Sequence, residues 1–74
     1  MNDSIKKIVT DFEADVLREL QQGGGEVELL RARDAADDRL RALKSGADAQ
    51  QLEAIFSAAL EIGTKLNMAL VVIR

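Results

Sequence analysis

The sequence predicts an all-α protein, and three observations support this class. The chain of 74 residues has no proline and only two aromatic residues, while 47% of its residues are hydrophobic. Residues that favour helices dominate the rest of the composition. Apolar residues recur at steps of three and four in three segments, which is the period of one face of a helix. We therefore expect a single small helical domain over residues 1–74.

The first helix is predicted over about residues 4–22. Its apolar stripe consists of Ile5, Ile8, Val9, Phe12, Val16 and Leu20. Three consecutive glycines follow at 23–25, and together they cost about 3 kcal/mol of helix propensity relative to alanine. We expect a flexible joint there. The first helix then either packs on the rest of the chain or swings away from the joint to bind elsewhere.

The remaining chain is predicted to form an antiparallel hairpin of two helices, over about residues 26–44 and 48–74. The stretch LKSGADAQQL, residues 43–52, separates them. Gly46 can adopt the left-handed conformation that ends a helix. Asp48 is a suitable N-cap, and Gln51 three residues later completes a capping box. A connection this short brings the two helices back against each other.

The composition leaves little for catalysis. With no histidine and no cysteine, the chain has no imidazole to activate a serine and none of the usual zinc ligands. Asp37 and Asp38 resemble an acid/base pair or a magnesium site, but adjacent helical residues point in different directions and arginines lie close by. The glycines at 23–25 lack the Lys-Ser/Thr of a phosphate-binding loop. We expect a protein that is not an enzyme and has no metal or cofactor.

Nucleic acid and membranes are disfavoured as partners. The net charge is −3, and aspartates alternate with the arginines of the second helix. Tyrosine and tryptophan, which stack on bases, are absent. A small RNA-binding hairpin dimer stays open as a third hypothesis. The longest purely apolar run, residues 68–73, is far shorter than the roughly 20 residues that cross a bilayer. We expect no signal peptide, no membrane insertion and a cytoplasmic location.

The apolar stripes indicate association with another protein. They offer more apolar surface than a chain of this length can easily hide, and exposed apolar patches usually mark interfaces. The expected contact residues lie on the first and third helices: Phe12, Val16, Leu20, Leu66, Leu70 and Ile73. The alternative is a self-associating helical-hairpin dimer with a structural, adaptor or regulatory role.

Residues 26–74 resemble the small E-type (YscE/PscE-like) co-chaperones of type III secretion needle subunits. The matching residues are Lys44, Gly46, Asp48, Gln51 and Leu52, followed by Leu60-Glu61-Ile62-Gly63. The resemblance implies a helical hairpin of the bacterial cytosol that pairs with a helical-repeat co-chaperone. Through that partner it would keep a virulence-associated needle subunit soluble until export.

Overall fold

A computed structural model describes residues 3–74, and three helices account for most of them. These are α1 (Asp3–Gln21), α2 (Glu26–Ala42) and α3 (Ala49–Ile73). The described residues contain no strand. The predicted all-α class, with a helical hairpin and an additional N-terminal helix, is confirmed.

The three glycines form a hydrogen-bonded connection between α1 and α2. Gly23 has φ +77°. Its N–H donates to the carbonyl of Leu20 at 3.3 Å, and the N–H of Gly24 donates to the carbonyl of Glu19 at 2.7 Å. This pair of bonds is the Schellman arrangement, which satisfies the last carbonyls of a helix. α1 therefore ends in a defined geometry, while the predicted flexibility of the joint stays a prediction.

The turn between α2 and α3 has the predicted chemistry. Gly46 has φ +76°, which a residue with a side chain rarely adopts. Asp48 is the N-cap of α3, and its carboxylate accepts a hydrogen bond from the backbone N–H of Gln51 at 2.8 Å. The side-chain oxygen of Gln51 accepts in return from the N–H of Asp48 at 3.1 Å. The predicted roles of these three residues are confirmed.

α1 packs on the hairpin, so the open question about its position is answered. Each helix contacts the other two, and the bundle measures 39 × 17 × 15 Å. Connections of four and six residues make the helices run up, down and up. The interior is apolar throughout the described chain, since it contains no buried polar or charged residue. The core consists of Ile5, Ile8, Val9, Phe12, Val16, Leu29, Ala36, Leu40, Ile55, Ala58, Ile62, Leu66, Ala69 and Leu70.

Ion pairs between helices lie at the edges of this core. Arg39 of α2 donates to Asp11 of α1 at 2.9 Å, and Lys65 of α3 lies 3.2 Å from Glu13 of α1. All four side chains are more than a third exposed. Pairs this exposed contribute little to stability, so the apolar core holds the bundle together.

We predict that Asp48→Ala lowers the free energy of unfolding by about 1 kcal/mol, because α3 loses its N-terminal cap. Urea denaturation at fixed protein concentration, followed by circular dichroism at 222 nm, measures this. Asp38→Ala is the matched control, since Asp38 pairs only within α2, with Arg41 at 3.7 Å. Equal losses in the two variants would contradict the assigned capping role.

Asp11 should make stability depend on pH in the acid range. The hydrogen bond from Arg39, followed by that from Lys7, lowers the pKa of Asp11 below the ordinary aspartate value. A lowered pKa means that the folded state binds the proton less readily than the unfolded state. This contribution is therefore fully present above the ordinary pKa, near pH 4, and is lost as pH falls through the lowered pKa.

Asp11→Asn should remove that contribution and flatten the acid side of the stability curve, measured by urea denaturation at several values between pH 5 and pH 2. Asp38→Asn, which removes an acid that does not join two helices, should keep it. An unchanged acid slope in Asp11→Asn would argue against the linkage.

Candidate functional site

The structure uses most of the predicted contact residues inside the chain. Phe12, Val16, Leu66 and Leu70 belong to the core, and Leu20 is half-buried against it. These four core residues cannot meet a partner without opening the bundle, which corrects the expectation that they form an outward surface. The physical reason is the docking of α1, whose apolar stripe covers the inner face of the hairpin. Ile73, at the end of α3, is the one predicted contact residue whose side chain is exposed.

A second apolar stripe runs along the outside of α3. We call it the outer stripe. It consists of Leu52, Phe56, Ala59, Leu60, Gly63, Asn67 and Val71. Its steps of three and four residues place these positions on one face of the helix. Phe56 is 64% exposed, Leu60 59% and Val71 70%. The chain thus leaves apolar side chains exposed along one face of its longest helix, with Gly63 and the polar Asn67 between Leu60 and Val71.

A groove between α2 and α3 borders the outer stripe. Its volume is about 410 Å³. The buried side chains of Leu40 and Ile55 form its floor, and Phe56 stands on its α3 side. Asp37, Arg41 and Lys44 lie along its α2 side. The groove and the outer stripe together form an apolar surface with a charged rim, which is the usual composition of a protein interface.

Gly63 lies in the middle of the outer stripe, and nothing within the described residues requires a glycine there. Its backbone has no positive φ, and a Cβ added there would meet no atom within 4 Å. A glycine inside a helix costs about 1 kcal/mol relative to alanine. Glycine in such a place permits close approach of another backbone or side chain. Within the described residues, nothing makes that approach.

A smaller apolar surface lies on the α1–α3 side, which we call the C-terminal patch. It consists of Leu17, Met68 and Val72, each more than half exposed. Leu17 follows Glu13 by one turn, and Met68 follows Lys65 by one turn, so both lie just beyond the Glu13–Lys65 ion pair. The patch is discontinuous with the groove and shorter than the outer stripe. The outer stripe is therefore the stronger candidate for a binding surface.

The acidic residues of α2 lie in a charge-balanced surface. Asp37 lies 3.8 Å from Arg33, and Asp38 lies 3.7 Å from Arg41. No group of three or more potential metal ligands occurs in residues 3–74. The two ion pairs support the interpretation of the aspartate pair as helix surface.

α3 also meets the length and mean hydropathy criteria for a membrane-crossing helix. The longest uninterrupted apolar run, residues 68–73, does not reveal this. A third of the most apolar window is buried inside the bundle, and a helix that supplies the core of a small bundle meets the same criteria. The mean hydropathy of α3 combines two apolar faces. One face packs in the core, and the other forms the outer stripe.

Comparison with known proteins leaves the family open. No family model, curated protein or solved structure matches the chain. The fold and the site define a small three-helix bundle with an unpartnered apolar surface on α3. The resemblance to the E-type co-chaperones stays a prediction.

The two phenylalanines of the chain provide a matched pair that tests the location of the core. Phe12 is 1% exposed and Phe56 is 64% exposed. We predict that Phe12→Ala lowers the free energy of unfolding by about 3–5 kcal/mol, and that Phe56→Ala lowers it by less than about 1 kcal/mol. Thermal or urea denaturation at low micromolar concentration measures both. Comparable losses would mean that α1 does not occupy the core described above.

Proposed function

We propose that this protein is a non-enzymatic interaction module that binds an α-helix of a partner across the outer stripe of α3. The observation that carries the proposal is the exposure of Phe56, Leu60 and Val71 on one helix face. Phe56 and Leu60 are four residues apart and Val71 follows eleven residues later, a spacing that keeps all three on one helix face. Amphipathic helices dock through anchors that share one face in this way. The charged rim of the adjoining groove supplies orientation.

The energy available from these three side chains alone does not hold a partner. Full burial of a Phe, Leu or Val side chain is worth about 1.5–3 kcal/mol, and these three are already partly covered, so roughly 3–5 kcal/mol remains. Association costs at least about 4 kcal/mol in lost freedom. The partner must therefore add contacts of its own, as a larger helical protein would do.

The finer proposal is a co-chaperone role in type III secretion. The resemblance rests on the turn at Lys44–Leu52 and on Leu60-Glu61-Ile62-Gly63. Leu60 and Gly63 both belong to the outer stripe. The end of a helical-repeat array exposes an apolar helix face that an added helix can cover. In this proposal the protein caps such a partner in the bacterial cytoplasm, and the partner holds the needle subunit.

The RNA-binding hypothesis gains no support from the arginines of α2. Arg33, Arg39 and Arg41 each pair with an aspartate, at distances between 2.9 and 3.8 Å. Paired arginines are less available to phosphates than an unpaired cluster would be. The proposal therefore stays with a protein partner.

The test is affinity capture from native cytosol with the full chain and two charge variants. Leu60→Glu places a charge in the outer stripe, and Ser57→Glu places the same charge on α3 outside it. We expect wild type and Ser57→Glu to recover a helical-repeat protein together with a small needle-like subunit. Leu60→Glu should recover at least tenfold less, because its carboxylate would be buried on binding.

Circular dichroism must show that both variants keep the helical content of the wild type. Equal recovery with Leu60→Glu would refute a role for the outer stripe. A stripe-dependent partner of another kind would refute the secretion role and leave the interaction module standing.

A further inference from the structure

We propose that the outer stripe of one chain is covered by a second copy of the same chain, with the two α3 helices antiparallel. This inference rests on the proposed function, because it uses the same surface, and it names the occupant when no other partner is bound. The two-fold axis passes between Ala59 and Leu60. The result is a symmetric assembly of six helices, with the two α3 helices at its centre.

The centre of the outer stripe is self-complementary about that axis. Antiparallel pairing places Phe56 opposite Gly63 and Ala59 opposite Leu60, and each of these pairs joins a larger side chain to a smaller one. Towards the ends the match is polar on one side, with Leu52 opposite Asn67 and Val71 opposite Asp48. Two-fold symmetry requires that a surface match itself, and every such contact then occurs twice. Alternation of large and small residues across a helix interface permits close packing.

Gly63 is the independent observation that favours this arrangement. The space where its Cβ would lie is open within the chain, so its own fold does not require glycine there. In the antiparallel pair this space receives the ring of Phe56 from the second copy. The exposed Phe56 and the missing side chain at position 63 thus have one explanation.

The ends of α3 are electrostatically compatible with the same arrangement. The last turn of α3 contains no basic residue, and Arg74, which follows it, lies 3.5 Å from Glu26 of α2, so the partial negative charge of the helix end is only partly offset. Antiparallel pairing brings this end, about 20 Å from the axis, beside the turn that precedes α3 in the second copy. Lys44 lies in that turn and on the rim of the groove. Its positive charge complements the helix end.

The size of the surface predicts a weak dimer. A face of 25 residues is roughly 38 Å long and 10–12 Å wide, which gives on the order of 400 Å² from each copy. This lies below the size of standard interfaces, about 800 Å² per partner. We therefore expect a dimer weak enough for a larger partner to replace the second copy.

A lipid surface is the less favoured occupant. Interfacial helices that bind anionic membranes carry an excess of lysine and arginine on the polar face. This chain has a net charge of −3, and the groove beside the outer stripe has Asp37 as well as Arg41 and Lys44 on its rim. Membrane binding is an outcome of the test below.

Sedimentation velocity of the purified full chain, from 1 to 200 µM, tests the assembly. We expect conversion from the 8.1 kDa monomer to a species of twice that mass. Leu60→Glu and Gly63→Leu should weaken dimerisation at least tenfold, and Ser57→Glu should not. Gly63→Leu should also melt at the same or a higher temperature as a monomer, because leucine favours the helix. A folding defect would lower that temperature.

Cysteine cross-linking tests the direction of the helices, since the natural chain contains no cysteine. A single cysteine at position 59 lies near the proposed axis and should form a disulfide with its copy under mild oxidation. A single cysteine at position 52 lies roughly 22 Å from its copy in the antiparallel pair and should not. Efficient cross-linking at both positions would indicate a parallel pair and overturn the inference.

A chain that stays monomeric at 200 µM also overturns it. If that monomer floats with phosphatidylglycerol vesicles and Leu60→Glu does not, the outer stripe binds lipid. If the monomer captures a protein partner in a Leu60-dependent way, the proposed function stands without the self-association. If the chain dimerises but captures no partner, the self-association stands and the proposed function is refuted.

Discussion

The rest of the structure depends on the docking of α1 against the α2–α3 hairpin. Phe12 inserts into the same core as Leu29 and Ile62, and all three side chains are almost fully buried. A chain of this size has a high ratio of surface to volume, so it can hide about one apolar stripe from each helix. α1 and α2 each have little more than one apolar stripe. α3 has two, and once the docking of α1 determines which of them is internal, the other must face outward.

The connections determine the geometry in which this burial occurs. The glycines after α1 close its last turn by backbone hydrogen bonds, and the reciprocal bonds between Asp48 and Gln51 open α3. These are local interactions that the backbone makes without help from the core. The ion pairs between helices are exposed and weaker. The fold therefore combines an apolar interior, which supplies most of the stability, with caps and turns that decide where each helix begins and ends.

The sequence was sufficient for the class, for helix limits within about two residues, and for the chemistry of the second turn. Each of these depends on local pattern, such as the Gly46–Asp48–Gln51 arrangement. The site was not predictable in the same way. Periodicity finds the faces of α3 but cannot say which face α1 will cover, because that depends on contacts between distant residues. Phe12 and Phe56 both lie in apolar stripes, yet only Phe12 is internal. Besides that periodicity, the interior glycine at position 63 is a sequence signal that marks the outer stripe.

The connection between α1 and α2 also restricts how two copies can associate. One route for exchange of α1 between copies straightens α1 and α2 into one long helix through residues 23–25. Three glycines oppose that by about 3 kcal/mol in each chain relative to alanines. The space beside Gly24, already crowded by Glu19, belongs to the bent form. Domain swapping through a continuous helix, one route by which bundles form dimers, is thereby made costly.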